Sequence, residues 1–459
     1  MAPSNLGTSA WQRNGPAHDS PTDVVGVSRG PAGRKRRSRK PIRRSTSRAK
    51  VAQDVQAKPA DCADEVSVAL EWKLLLPLLA KGADDPQPND KRCVVNAQCE
   101  DDEQACLIQG HACVAKTIRE SGEKAVIAQT ISRDGMEEKD FWDSSWIVKK
   151  ANSVEPLAEE KVLEGYVWVP VEICSPKMRA RDPATRRRIE GVLNALHSTH
   201  RLAANCSCEV HVHVGRMDGR PWSLSTLKRL GSLLWVTEPT LRSIRDPNSA
   251  NFDNTYTWGF ATRQHSRLAK MVGGPSAQSR SCRTANIAME MPAEHGAGAG
   301  VRRGRTEALL AKETDALSEI QKATSHLELG RLLSGSEKKY RRLGFNFSAF
   351  GEEDERAQRS PRTVEFRFMD GSVSAELILS WLAICGAIVE LAVASTDTRF
   401  VAVLGPLLLP RAEDRHTAAN KSNETRGARR ARQFRELMNV LGVSEQVSSR
   451  FEDKIKREN

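Results

Sequence analysis

From Glu209 to Arg216 the chain reads Glu-Val-His-Val-His-Val-Gly-Arg, apolar and polar positions alternating without a break. Successive side chains of a strand point to opposite faces. The pattern therefore predicts a strand with Val210, Val212 and Val214 on a core face and Glu209, His211 and His213 on the other. Residues 363–368 alternate in the same way, with Val364, Phe366 and Phe368 opposite Glu365 and Arg367. A third strand is predicted from Tyr166, β-branched and aromatic, carrying Glu172 and stopping at Ser175-Pro176. A fourth runs from Val66 through Leu70 into Glu71 and Lys73.

Between these lie helical periods. Ile189, Val192, Leu193 and Leu196 recur at helical spacing within residues 182–202, and Ser223 opens a second helix, with Leu227, Leu230, Leu234 and Val236 behind it, that should stop near Pro239. Residues 306–333 read as a polar, surface-facing helix, and 426–441 as an arginine-rich one. The apolar stretch 377–395 approaches membrane length, but Ser380, Gly386 and Glu390 within it favour a buried core helix. Residues 82–91 read as a polar loop, 245–267 as an aromatic, Asn-rich loop, and 273–305 as a flexible insertion. The Gly-Ala-Gly-Ala-Gly run at 296–300 lacks the preceding strand that a phosphate loop requires, and reads as linker.

The polar strand faces carry the chemistry. Most alternating strands simply turn their polar side to water. Here four strands offer Glu71, Glu172, His211, His213, Glu365 and Arg367 together. Carboxylates and imidazoles suit a divalent cation, and a guanidinium suits phosphate or carboxylate. A site with both ligand types is what a magnesium-bound nucleotide needs.

Charge divides the chain. Residues 1–60 hold 13 Lys+Arg against 3 Asp+Glu, a net of +10, so only about +2 of the chain's +12 falls on residues 61–459. That first segment is expected to be a disordered basic tail. Its core, residues 33–44, resembles a nuclear-import or nucleic-acid patch, so a weak nucleic-acid or import-receptor contact is expected there, with a plain solvated tail as the alternative. No secretory leader is read at the start and no membrane partner is expected, which favours an intracellular setting, cytoplasmic or nuclear, with the ten cysteines reduced. Cys93, Cys99, Cys106, His111 and Cys113 are spaced too widely for a zinc knuckle and read as buried thiols and loop residues. Cys208, beside the histidine strand, reads as a small buried residue rather than a nucleophile.

In order along the chain, these motifs resemble the amidoligase family in its fungal type, a branch of the glutamine synthetase-like carboxylate–amine ligases. The resemblance rests on Ala69-Leu70-Glu71-Trp72-Lys73, Glu172-Ile173-Cys174-Ser175-Pro176 and Cys208 through Val214. It continues through Trp235, Glu238 and Pro239, then Phe345-Asn346-Phe347, then residues 363–367 with Trp381 and Glu390 after them. It spans about residues 65–400. It implies an α+β fold, a curved and mostly antiparallel sheet with surrounding helices like the glutamine synthetase catalytic domain. The implied organisation is a tail at 1–60, a catalytic domain at 61–400 with the insertion, and a helical extension at 401–459.

It also implies ATP and Mg2+ as cofactors, and carboxylate and amine substrates, small molecules or peptides, joined through an acyl phosphate. Under the resemblance Glu71, Glu172, Glu365 and His213 hold metal, Arg367 meets phosphates, Arg216 does the same or binds the substrate carboxylate, and His211 orients a phosphate or relays a proton. Arg263 or Arg267 would meet phosphate where the following loop closes the site. Three positions depart from the family pattern: Lys73 replaces a second acid, Glu209 a glycine, and Ala151 an aspartate. The alternative they suggest is a degenerate nucleotide- or peptide-binding pseudoenzyme. A nucleic-acid protein and a histidine-based zinc hydrolase are the remaining readings.

Overall fold

The computed structural model of the chain describes residues 61–98, 102–246, 261–273, 299–335, 343–351, 361–408 and 424–458. The basic tail at 1–60, most of the aromatic loop and most of the insertion lie outside the described residues, as does Cys99.

The alternating segments become strands of one sheet. In chain order these are β1 Val66–Leu79, β2 Val95–Asn96, β3 Ala125–Ile127, β4 Trp146–Lys150, β5 Tyr166–Cys174, β6 Met178–Arg179, β7 Glu209–Arg216, β8 Phe345–Asn346 and β9 Val364–Asp370. Across the sheet the order is β3-β4-β5-β1-β7-β9-β8, with β2 and β6 both pairing β1. Only β1–β2 and β3–β4 are parallel; the rest pair antiparallel. The fold is thus α+β with a mixed, mostly antiparallel sheet, as the resemblance implied. The first strand continues six residues past Lys73, through Leu-Leu-Leu-Pro-Leu-Leu, because nearly every position there is buried. Strands buried on both faces lose the alternation by which a half-exposed strand is recognised.

Helices cover one face of the sheet. The Ala375–Ala394 helix lies behind β1 and β7 and packs on the Leu224–Leu241 helix. Although long and apolar enough to cross a membrane by composition, it is a core helix here, with Trp381, Ile384, Ile388 and Val389 fully buried. The valines of β7 and the phenylalanines of β9 are buried with it, Phe366 meeting Trp381 edge to face. The Glu103–Glu120 helix lies over β3, β4 and β5. Gly110 permits its close approach, since a Cβ there would stand 2.8 Å from a Val169 methyl. Cys106, His111 and Cys113 sit on this helix rather than in loops. His111 bonds the Pro170 carbonyl at 3.2 Å and Gln129 at 3.0 Å, a structural role.

The helix caps follow sequence closely. Asp182 caps the Pro183–Thr199 helix, and Ser223 caps Leu224–Leu241. Pro239 falls inside the last turn of the latter rather than ending it. Residues 306–333 form two helices, Ala299–Lys322 and His326–Leu332, with Ser325 capping the second. They are not simply surface-facing: Ala316, Ile320, Ala323 and Leu329 are buried. That narrow apolar stripe is hidden in a segment polar on average. After residue 400, the Arg426–Val440 and Glu445–Glu458 helices pair with each other and pack on the Leu224–Leu241 and Ala375–Ala394 helices.

One buried imidazole gives the fold a measurable acid sensitivity. His200 ends the Pro183–Thr199 helix and its Nε2 lies 2.8 Å from the Thr117 hydroxyl. Burial lowers its pKa to about 4. The unfolded chain binds this proton more readily, so its contribution is complete above the ordinary histidine value and is lost as pH falls from there to about 4. Between pH 7 and pH 5 the loss amounts to about 2 kcal/mol. Urea midpoints at the two pH values should show this loss in the wild type, and a smaller one in His200→Gln.

Candidate functional site

The antiparallel registers of β5, β1, β7 and β9 gather the polar faces. Glu71 stands opposite His211, His213 opposite Glu365, Lys73 opposite Glu172, and Asn346 of β8 opposite Glu365. A bulge between β7 and β9 sets Arg367 and Phe368 against His211. The sequence-predicted residues Glu71, His211, His213, Glu365 and Arg367 thereby come into direct contact.

His211 is the hub, and is completely buried. Its Nδ1 lies 3.0 Å from Glu71 Oε1 and 3.2 Å from Glu365 Oε1, and its Nε2 is 2.9 Å from Glu209 Oε2. Burial and the Arg367 and Lys73 cations press this imidazolium toward neutrality. The carboxylates of Glu71 and Glu209 outweigh them and hold it charged, with its pKa raised to about 9. Burial also works against the charge on Glu71 and Glu365. Their cationic neighbours prevail, His211 and Lys73 for the first and Arg367 for the second, so both carboxyls stay well below the usual range. Arg367 Nη1 donates to Glu365 Oε1 at 2.5 Å, and its Nη2 lies 3.8 Å from Glu209 Oε2. Asn346 Nδ2 donates to the second Glu365 oxygen at 2.7 Å. His213 reaches Glu71 Oε2 at 3.2 Å and Thr363 Oγ1 at 3.1 Å, and its Nε2 is 3.9 Å from Glu365.

Among the described residues, Glu71, His211 and Glu365 are the group whose ligand atoms lie close enough to share a metal ion, all within 4.8 Å of one another. His213 borders this group. Glu172 does not enter it, because Lys149 of β4 lies 3.1 Å from its carboxylate. Two carboxylates and an imidazole fit Mn2+ well and Mg2+ adequately. An ion held there would take the place of the His211 Nδ1 proton.

The group lies at the floor of a cavity of about 1020 Å³ lined by Glu71, Lys73, Glu172, His213, Glu365 and Arg367. Lys149, Lys177 and Trp142 line it toward β4, and Arg220 and Arg362 line it elsewhere. Arg216 also lines it, but is tied to Asp61 at 2.7 Å and Asp218 at 2.8–2.9 Å, and stacks over Trp222. Its guanidinium anchors the start of the described chain to β7. Arg263 and Arg267 lie outside the cavity lining. Arg263 pairs with Glu313 over the Trp235 ring, and Arg267 donates to the Arg331 carbonyl. Glu238, fully buried, accepts the backbone N–H groups of Thr262 and Arg263, a structural cap.

Two side chains of the site carried no role in the pattern reading. Asn346 belongs to the Phe345-Asn346-Phe347 motif, and Lys149 lies on β4, two residues before Ala151, where the family pattern has an aspartate. Polar residues inside otherwise buried strands were the available signal. Ala151, where that aspartate was expected, is buried with Leu75, Val154 and Cys208 and leaves no acid there. Burial pushes the Cys208 thiol up to about 12, consistent with a packing residue.

Residues 110–279 match the family described as "Putative amidoligase enzyme", a segment containing Glu172, His211 and His213. No curated protein and no solved structure matches the chain. Glu71, Glu365 and Arg367 lie outside the matched segment, and the sheet brings them to it. The match covers fewer than half of the chain's residues, and together with the shared polar face and the order of the strand motifs it makes this part of the chain similar to the family described as "Putative amidoligase enzyme".

Proposed function

We propose that the protein uses a magnesium-bound nucleotide to join a carboxylate to an amine. The observation that carries this reading is the Glu71–His211–Glu365 group with Arg367 beside it on the floor of a large cavity. A carboxylate oxygen of the substrate attacks the γ-phosphorus of ATP and ADP leaves. The amine nitrogen then attacks the acyl carbon, phosphate departs with the former carboxylate oxygen, and the amine proton passes to a base. A divalent ion at this group would neutralise phosphate charge as it is transferred. Glu71 and Glu365 would hold the ion, with His211 or His213 as the nitrogen ligand. Arg367 keeps Glu365 ionised and adds a fixed positive charge to the floor. Burial and the nearby Glu71 charge raise the pKa of Glu172, against the pull of Lys149, which suits it to accept the amine proton.

The test is direct. Full-length protein with MgATP, a panel of carboxylates and hydroxylamine as the amine should form hydroxamate and ADP in equal amounts, and Glu71→Gln should form neither. Absence of both products with every carboxylate would refute the activity. One observation favours the second reading, a nucleotide-binding pseudoenzyme. Three carboxylates, Glu71, Glu209 and Glu365, are already met by three internal cations, Lys73, His211 and Arg367. Metal-dependent ATP binding with no ADP formed would establish that reading instead.

A further inference from the structure

One of the three buried cations of the cluster has an unusual place. Lys73 lies in the middle of β1, and its side chain is almost entirely buried. Its Nζ stands 3.1 Å from Glu209 Oε2 and 3.3 Å from Glu71 Oε1, carboxylates of two neighbouring strands. Glu172 is its register partner on β5. Glu209 is completely buried, and its second oxygen, Oε1, has no hydrogen-bond partner. A buried lysine among acids is costly unless its charge is wanted, because burial disfavours the ammonium.

Glu71 divides the cluster into two parts. On one side its carboxylate faces the group formed with His211 and Glu365. On the other it shares the ammonium with Glu209. Lysine and glutamate at positions 73 and 209 thus form one unit, each supplying the charge the other needs. Two carboxylates, Glu71 and Glu209, converge on one point between β1 and β7, and one or two carboxylates completed by water suffice to hold a hard divalent cation. The point is filled by an ammonium that cannot dissociate.

We propose that Lys73 is a resident cation standing where a second divalent ion would otherwise bind, so that the site takes a single metal ion. This rests on the metal reading of the Glu71–His211–Glu365 group given above. Its functional meaning is that one of the positive charges facing the substrate phosphates is covalently attached and independent of metal supply. Lys73 is a positioning residue for the acids around it. Its removal should raise the metal count, whereas loss of a simple structural ion pair would only weaken folding.

The experiment is a count of bound Mn2+ per full-length chain by equilibrium dialysis and electron paramagnetic resonance, with melting curves to establish folding. The wild type and Lys73→Arg should bind one ion. Lys73→Gln, nearly the same size but neutral, should bind two, as should Lys73→Glu if the more drastic change folds. Adding Glu209→Gln to Lys73→Gln should return the count to one. A count of one in folded Lys73→Gln, or of two in the wild type, overturns the proposal. A count of zero in the wild type is a different result: it removes the metal reading itself, and this proposal with it.

Discussion

Glu365→Gln is expected to lower metal affinity by at least about 100-fold and to take ATP-dependent amide formation down with it. The carboxylate is the point where β8, β7 and β9 converge: Asn346 holds one oxygen, and Arg367 and His211 hold the other. Glutamine keeps the volume and can still accept from Asn346 or Arg367. The charge that binds a divalent ion is lost. The folded state should persist, because the surrounding phenylalanine packing on the core side of β9 is untouched. Mn2+ titration with far-ultraviolet circular dichroism on the same samples separates lost binding from lost folding. Metal affinity within a few-fold of wild type in this variant would remove Glu365 from the ligand set.

Arg367→Met is expected to act chiefly on stability. The guanidinium is buried against Glu365 and Glu209, and its charge also helps to hold Glu71 ionised at a distance. Methionine fills similar space and leaves the carboxylates undercompensated. Breaking such a buried pair costs about 3–5 kcal/mol, read as a lower urea midpoint. Because the missing element is positive charge, added Mn2+ should restore part of the loss in the variant beyond its effect on the wild type. Binding to the folded state alone stabilises it by mass action. A variant as stable as wild type would mean that the acids are neutralised by other means. A loss that Mn2+ leaves unchanged would mean that the guanidinium matters for packing and not for charge.

Much of this architecture was legible in the residues. The strand Glu209–Arg216 was readable to its ends, because Val210, Val212 and Val214 face one way and Glu209, His211 and His213 the other. The caps Asp182 and Ser223 were equally plain, since short polar side chains there satisfy free N–H groups. Alternation also indicated that Glu71, His211, Glu365 and Arg367 would share a face. It could not give their register. Which residue meets which depends on strand order and on the β7–β9 bulge, long-range facts that no local period encodes. For that reason His211 lies with Glu71 and Glu365, while Glu172 pairs with Lys149. The family resemblance offered Arg216, Arg263 and Arg267 as phosphate ligands. Nearby acids, an aromatic ring or a backbone carbonyl engage them instead, and spacing gives no warning of that. The Lys73–Glu209 pair is the clearest case. As two separate departures from a family pattern they suggested damage. Adjacent across the β1–β7 ladder, they form a single compensated unit.

The most direct test of the central claim is a titration of the full-length chain with a non-hydrolysable ATP analogue, with and without Mg2+, beside Glu365→Gln. The account predicts binding that requires the metal in the wild type and is lost in the variant. Binding of equal strength without Mg2+, or undiminished binding in Glu365→Gln, would contradict it.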